Sequence, residues 1–183
     1  GSIEKQVEQI KAAAAGGYDV IICSPVSVDT ATQLRMSAGD IPIVFVNSCP
    51  DEKHLQAGKY IYVGSSEQVA GAFQAEYVLE KMSGRQEINV VLVKGPASHS
   101  ATEGRTSGVK RTLEASGRQI NYVFEDSAGW DTGQAQKLFE LFLSTGVQAD
   151  CVICNNDAMA LGVMEACKNK GVDCSTLLIL EVE

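Results

Sequence analysis

Polar side chains follow most of the short apolar segments of this sequence. Asn47, His99, Trp130 and Asn156 all occur within a few residues of runs rich in Val, Ile and Cys. Amides and imidazoles form hydrogen bonds, and an indole ring covers an apolar surface while keeping one polar tip. This set contains no nucleophile–base–acid combination. It therefore suits binding of a small polar ligand better than catalysis of a bond-breaking step.

The motifs expected of enzymes and phosphate-binding loops are missing. No Gly-x-Gly-x-x-Gly follows an apolar segment, and residues 94–99, Lys-Gly-Pro-Ala-Ser-His, do not match a P-loop. Ser98, His99 and Asp157 could be assembled into a hydrolase triad, but the elbow motif Gly-x-Ser-x-Gly is absent. No pair of carboxylates stands out as the acid and base of a glycosidase. We expect neither catalysis nor a cofactor.

The cysteines raise the question of a redox or metal site. The Cys151-x-x-Cys154 spacing is found in redox pairs and in halves of zinc sites. In a strand, however, residues three apart point to opposite faces, so these thiols would not converge. Cys167 and Cys174 are too far apart in sequence to complete a zinc ribbon. We predict that Cys23, Cys151 and Cys154 are small buried apolar residues and that the chain holds no metal.

The elements that must position these side chains alternate along the chain. Apolar runs predict strands at 19–23, 43–46, 60–63, 88–93, 120–124, 151–153 and 177–180. Amphipathic segments between them predict helices near 7–14 and at 28–38, 67–82, 101–116, 132–143 and 158–170. This alternation indicates βα units with parallel sheets, and near-continuous apolar strands indicate helices on both sheet faces. Ligands bind beyond the carboxyl ends of such strands, where the polar side chains occur.

A break in the pattern divides the chain. Residues 83–86, Ser-Gly-Arg-Gln, interrupt the alternation, and each half has its own series of strands and helices. We therefore predict a first lobe over residues 1–84 and a second lobe over residues 85–183. No low-complexity linker separates them, so the two lobes should be tightly connected.

Composition limits the class of partner. Of 183 residues, 45% are hydrophobic, which is enough for a packed core and is not typical of a disordered chain. No segment approaches the run of about 18 apolar residues that crosses a membrane. With 15 basic and 23 acidic residues, the net charge is -8, the opposite sign to that of nucleic-acid-binding surfaces. We expect no nucleic-acid partner for this segment.

Six segments, in this order, resemble type I periplasmic sugar-binding proteins. In the first half they are residues 17–25 (GYDVIICSP), 41–47 (IPIVFVN) and 62–71 (YVGSSEQVAG). In the second half they are residues 93–106 (VKGPASHSATEGRT), 129–136 (GWDTGQAQ) and 155–162 (NNDAMALG), where the similarity is to galactose- and glucose-binding members. The resemblance covers nearly the whole chain. The effector domains of lac-type repressors share the architecture.

The resemblance implies a two-lobed type I periplasmic-binding-protein fold with parallel sheets flanked by helices. By the same resemblance we expect it to be incomplete at both ends, lacking the opening of the first lobe and the end of the second. It implies binding of a hexose- or pentose-like monosaccharide between the lobes, as the solute-binding component of an ABC sugar uptake or chemotaxis system. An ABC permease or chemoreceptor would be the partner, and the location periplasmic or, for a lipoprotein, the cell surface. The alternative is the sugar-effector domain of a lac-type transcription regulator.

Six positions match residues that contact sugar in this family: Asn47, His99, Arg105, Trp130, Asn156 and Glu183. By resemblance, the two amides hydrogen-bond sugar hydroxyls, and the histidine and arginine donate to ring and hydroxyl oxygens. The tryptophan stacks on one face of a pyranose. The glutamate falls where the family has a carboxylate, usually Asp after Gly-Val. A pyranose has C–H groups on its face and hydroxyls on its rim, so these residue types fit it.

The sequence also departs from the family pattern. Ala101 replaces an Asp two residues after the histidine, and Ser48 replaces a Lys after the first-lobe Asn. The resemblance therefore does not specify galactose or glucose. Residues 84–88 lack the Asp-x-Asn-x-Asp spacing of the calcium loop found in the galactose-binding members. Asp131 and Asp157 precede helical segments, and we predict that both are N-caps.

Overall fold

The computed structural model describes residues 2–182, and within them strands alternate with helices as the sequence predicts. The strands are β1 Ile21–Cys23, β2 Ile43–Val46, β3 Tyr60–Val63, β4 Glu87–Lys94, β5 Gln119–Ser127, β6 Cys151–Cys154 and β7 Leu178–Leu180. The helices are α1 Ile3–Ala15, α2 Ala31–Ala38, α3 Glu67–Lys81, α4 Ser100–Ala115, α5 Thr132–Ser144 and α6 Asp157–Lys170. Three short 3₁₀ helices cover Val28–Thr30, Glu52–His54 and Cys174–Thr176.

The chain forms two compact units. The first contains the described residues up to Ser65 together with Ser98–Ser100, and the second contains Ser66–Ala97 and the described residues from Ala101 onward. Helix α3, which a division at residues 84 and 85 assigns to the first lobe, belongs to the second unit. The physical reason is packing, since Ala75 and Val78 of α3 are fully buried in a cluster with strand β4.

The first unit contains a three-stranded parallel sheet in the order β1-β2-β3. Its core joins Ile43 and Phe45 of β2 to Leu34 of α2, all fully buried. Alternate residues of the same strands are exposed, and Ile22 and Val63 keep 72% and 57% of their surface. Among the described residues, the expected helices therefore cover only one face of this sheet.

The second unit contains a four-stranded parallel sheet in the order β5-β4-β6-β7. Helices cover both faces, as predicted for apolar central strands. On one face Val91 and Val152 pack with α5 and α6. On the other face Leu92 and Ile153 pack in a cluster that includes residues of α3 and α4. The second sheet thus confirms the predicted layered α/β architecture.

Glycines allow helices α3 and α4 to pack closely. A Cβ atom at Gly108 would lie 2.1 Å from the carbonyl oxygen of Gln68, and one at Gly71 would lie 2.0 Å from that of Arg105. Real Cβ atoms do not approach carbonyl oxygens this closely, so neither position accepts a larger residue without movement of the backbone. The close packing places the start of α3 against α4.

The cysteines behave as buried apolar residues in the strands. Cys23, Cys151 and Cys154 are buried, and all six thiols in the chain are free. Cys151 packs in the cluster on one face of the second sheet and Cys154 in the cluster on the other, which confirms the predicted divergence. Burial raises the pKa of Cys151 to about 12 and also raises that of Cys154.

The described residues contain neither a metal-binding cluster nor a membrane-spanning helix. Across residues 2–182, no three or more His, Cys, Asp or Glu side chains form a group that could hold a metal ion. No helix within this range is both long and apolar enough to cross a bilayer.

Candidate functional site

Arg105 lies at the carboxyl edge of the second sheet. It occupies the second turn of α4, and its side chain is only 12% exposed. Its Nε donates to Glu67 Oε2 at 2.6 Å, and its Nη1 donates to the carbonyl oxygens of Asn155 at 2.5 Å and Val182 at 2.9 Å. These partners come from the start of α3 and from the segments that follow β6 and β7. The guanidinium is thus fixed where the strands end.

Asn155 connects this arginine to the end of strand β4. It is 1% exposed, and its Oδ1 accepts hydrogen bonds from Gly95 N at 3.2 Å and Thr106 Oγ1 at 3.4 Å. Its own N–H donates to Val93 O at 3.0 Å. A buried amide with several partners is costly to disturb, so Asn155 stabilises the geometry of this edge.

The Trp130 ring lies against Gly95. A Cβ atom at Gly95 would be 2.3 Å from the indole Cζ2 atom and 2.5 Å from Thr102 Oγ1. The backbone of Trp130 has a φ of 67°, in the left-handed region that bulky residues seldom occupy. Half-buried and packed on the backbone of Gly95, the indole is held at the same edge as Asn155 and Arg105.

Asn156 is the N-cap of helix α6, and the predicted cap at Asp157 is wrong. Asn156 Oδ1 accepts from Met159 N at 3.1 Å, whereas Asp157 is the first helical residue and accepts from Ala158 N at 2.7 Å. The extended backbone of Asn156 places its side chain in the capping position. With its oxygen used by the helix, Asn156 can serve a ligand through its Nδ2 donor. The other predicted cap, Asp131, is confirmed by its contact with Gln134 N at 2.8 Å.

Asn47 and His99 come together in the first unit. Asn47 follows β2 with a φ of 63°, and its Nδ2 lies 3.2 Å from Ser24 Oγ and 3.5 Å from His99 Nε2. His99 belongs to the short segment Ser98–Ser100, in which Ser98 O accepts from Val28 N and Ser100 Oγ accepts from Cys49 N at 2.8 Å. The structure therefore gathers an amide, an imidazole and a hydroxyl at the carboxyl ends of the first sheet.

The remaining sequence predictions concern Ser48, Ala101 and Glu183. Ser48 and Ala101, the two departures from the family pattern, are both buried. Asp150, just before β6, forms an ion pair with Arg85 and accepts from Asn89 N at 2.8 Å. The predicted contact at Glu183 lies outside the described residues.

Two lysines near this edge share one carboxylate. Lys94 at the end of β4 and Lys110 of α4 each lie 2.7 Å from an oxygen of Glu125. Burial acts to raise the pKa of Glu125, but the hydrogen bonds and charges of Lys110 and Lys94 outweigh it and lower that pKa. The second unit therefore holds two ammonium groups against one ionised carboxylate here.

Comparison with known proteins identifies the family. The family model described as periplasmic binding protein domain matches residues 1–180. The chain belongs to the periplasmic binding protein domain family.

Relatives of this family member are longer than the chain. A Rhizobium meliloti protein described as rhizopine-binding is 32% identical over 180 residues, which are 97% of this chain and 58% of that protein. The D-galactose/methyl-galactoside binding periplasmic protein of Haemophilus influenzae is 32% identical over 150 residues, 75% of this chain and 45% of that protein. A Bacillus halodurans ABC transporter solute binding protein, solved with bound myo-inositol, matches with a TM-score of 0.83 at 27% identity and covers 97% of this chain and 60% of its own.

The sequence did not reveal three residues that hold Arg105 and Asn47 in place at the carboxyl ends of the strands. Glu67 and Asn155 bind Arg105, and Ser24 binds Asn47. Ser24 and Asn155 were recognisable as strand-end residues, but nothing distinguished them from their neighbours. Glu67 lies 38 residues from its partner, and only the packing of α3 on α4 brings the two together.

Proposed function

We propose that this chain is the ligand-binding part of a sugar-binding protein and takes a hexose- or pentose-like monosaccharide or a related polyol. In the second unit the candidate contacts are Trp130, Arg105 and Asn156, and in the first unit they are Asn47 and His99. One observation carries the proposal. Gly95 and Asn155 connect the Trp130 ring and the Arg105 guanidinium at one edge of the second sheet.

The chemistry of that edge suits a sugar. An indole provides a flat apolar surface for the C–H face of a ring, and it loses little conformational entropy on binding. A guanidinium and an amide offer fixed donors for hydroxyl oxygens. A buried donor left without a partner is costly, so such a site discriminates between epimers.

The names of the relatives support the same ligand class. They include proteins described as binding D-galactose and methyl-galactoside, rhizopine, and myo-inositol. D-galactose and myo-inositol both carry several hydroxyl groups. We infer that the ligand of this chain belongs to that class, while the individual sugar depends on positions such as Ser48 and Ala101.

The physiological role that we propose is solute capture outside the cytoplasm for an ABC permease or a chemoreceptor. The chain spans between 45% and 60% of the length of these relatives. A strain that lacks the gene should lose uptake of the sugar that the protein binds. Unchanged uptake, combined with sugar-dependent release from DNA, would instead favour the transcription-regulator alternative.

Binding is tested by isothermal titration calorimetry of the full chain with D-galactose, D-glucose, D-ribose, D-xylose, xylitol and myo-inositol. We expect saturable binding of at least one of them, with the ligand recovered chemically unchanged. An Asp173→Ala variant, altered at an exposed 3₁₀ cap, is the matched control and should bind equally well. Failure of every ligand to bind a folded protein would contradict the proposal.

A further inference from the structure

Glu67 and Arg105 form an almost buried ion pair at the ligand edge of the second unit. Their side chains are 13% and 12% exposed, and Nε and Oε2 are 2.6 Å apart. Glu67 is the first residue of α3, where a carboxylate also interacts favourably with the helix dipole. The pair is thus well shielded from water, and its charges are only weakly screened.

The backbone of α4 is shaped to admit Glu67. A Cβ atom at Gly104 would lie 2.5 Å from the Cβ atom of Glu67, and one at Gly71 would lie 2.0 Å from the carbonyl oxygen of Arg105. Two glycines on adjacent helices therefore let the carboxylate reach the guanidinium. The contact follows from the way the helices pack and does not depend on a flexible surface side chain.

The partners of Arg105 differ in charge. Asn155 and Val182 offer neutral carbonyl oxygens, and Glu67 supplies the negative charge that balances the guanidinium. Of the nearby cations, Lys94 and Lys110 share the single carboxylate of Glu125, which offsets one of their two positive charges. Asp157 and Glu181 add exposed carboxylates close to the ends of β6 and β7.

We propose that Glu67 is a specificity-determining residue that restricts the site to neutral polyhydroxylated ligands. The inference rests on the proposed sugar-binding function. An arginine without a counter-ion binds carboxylates and phosphates through paired charged hydrogen bonds. With its charge balanced by Glu67, Arg105 donates to hydroxyl oxygens but gives no net attraction to an anion. Sugar acids and sugar phosphates, which would also meet the neighbouring carboxylates, are rejected.

The test compares each neutral ligand with an anionic counterpart. D-galactose is paired with D-galacturonate, D-glucose with D-glucuronate, and myo-inositol with myo-inositol monophosphate, and Kd values are measured by calorimetry on the full chain. For wild type we expect the neutral member to bind at least tenfold more tightly. Glu67→Gln preserves the shape and a hydrogen-bond acceptor but removes the charge. We expect it to shift the anion-to-neutral affinity ratio at least tenfold towards the anion.

Two further variants distinguish the effect of the Glu67 charge from an effect of the substitution on folding. Glu67→Asp keeps the negative charge and should retain the wild-type preference even if overall affinity falls. Glu140→Gln removes the same charge from a half-buried position on α5 and should leave the ratio unchanged. Circular dichroism establishes that each variant is folded.

The outcomes distinguish this inference from the function on which it rests. If wild type binds a neutral ligand and Glu67→Gln leaves the anion-to-neutral affinity ratio unchanged, the proposed role of Glu67 is contradicted. The proposal of sugar binding is then unaffected. Equal affinity of wild type for a neutral ligand and its anionic counterpart would also contradict the proposed role of Glu67 and leave sugar binding unaffected. If wild type binds none of these six compounds and none of D-ribose, D-xylose and xylitol, both the function and the inference fail.

Discussion

At the scale of single residues, the contact between Gly95 and Trp130 determines how the indole is presented. The ring occupies the space where a side chain at position 95 would begin, and the left-handed backbone of Trp130 is held by the surrounding structure. Gly95 also donates to Asn155 Oδ1 and accepts from Ser127 Oγ at 2.8 Å. A small change here affects both the aromatic surface and the network that leads to Arg105.

We predict that Gly95→Ala displaces the Trp130 ring. Sugar affinity should fall at least tenfold, and the free energy of unfolding should fall by about 1–3 kcal/mol, as expected of overpacking. Calorimetry and urea unfolding measure the two effects. Gly84→Ala is the control, since a Cβ atom there meets nothing within 4 Å. Wild-type affinity in Gly95→Ala would show that the packing of the ring is not needed for binding.

The thiol of Cys151 gives a prediction for pH. Its pKa is about 12 because of burial, compared with an ordinary value of 9.0, so the folded state retains a proton that the unfolded chain loses. The stabilisation is complete below about pH 9 and is lost as pH rises from 9 towards 12. Each such thiol contributes a slope of up to about 1.4 kcal/mol per pH unit in that window.

Cys151→Ala should remove that part of the slope, which urea unfolding at pH 8, 9.5 and 10.5 measures. Val152→Ala shortens the next buried side chain of β6 without removing a titrating group. It should lower stability at every pH and keep the wild-type slope. Identical slopes in wild type and Cys151→Ala would refute the buried-thiol explanation.

At the scale of secondary-structure elements, the crossing of α3 and α4 connects stability to the site. The two helices approach closely at Gly71, Gly104 and Gly108. This approach places Glu67 against Arg105 and also packs Val78 and Leu113 in one cluster with strand β4. The helix pair therefore contributes both to the core and to the arrangement of the carboxyl edge of the second sheet.

We predict that Gly108→Ala forces the helices apart, because its Cβ would lie 2.1 Å from the Gln68 carbonyl oxygen. The midpoint of thermal unfolding should fall by several degrees, corresponding to about 1–3 kcal/mol. Gly133→Ala in α5 is the helical control, since its Cβ would meet only Asp131 Oδ1 at 3.4 Å. A Gly108→Ala protein as stable as this control would show that the helices can adjust without cost.

Element bounds could be predicted where apolar residues define them. Strands β2 and β3 agree with the prediction at both ends, because turn residues bound their apolar runs. Strand β5 extends to Ser127, beyond the predicted 120–124, since backbone pairing with Val93 and Lys94 continues through polar residues. The periodicity of α3 predicted a helix but could not assign it to a sheet, because its partners come later in the chain.

The candidate site was predictable only in part, for a related reason. Positions after strands can be found from apolar runs, and these include Asn47, Trp130 and Asn156. Which atom of Asn156 is used by the helix depends on backbone angles that sequence does not specify. The pairing of Glu67 with Arg105 depends on the distance between two helices, which the glycines permit but do not by themselves predict.

At the scale of the whole molecule, the chain contains two α/β units. Each has a parallel sheet with polar groups at the carboxyl ends of its strands. Membership of the periplasmic binding protein domain family fits this architecture. The net charge of -8 and the ion pair of Arg105 with Glu67 are consistent with a neutral ligand and do not suggest recognition of an anion.

The most direct test of the account is a titration of Trp130 fluorescence, because this is the sole tryptophan of the chain. A sugar or polyol that binds by calorimetry should change the emission saturably with the same Kd, as expected when a ligand covers the indole. Trp130→Phe should retain weakened binding, and Trp130→Ala should lose at least about tenfold in affinity. Unchanged emission on saturation, or wild-type affinity in Trp130→Ala, would contradict the claim that this ring forms part of the sugar site.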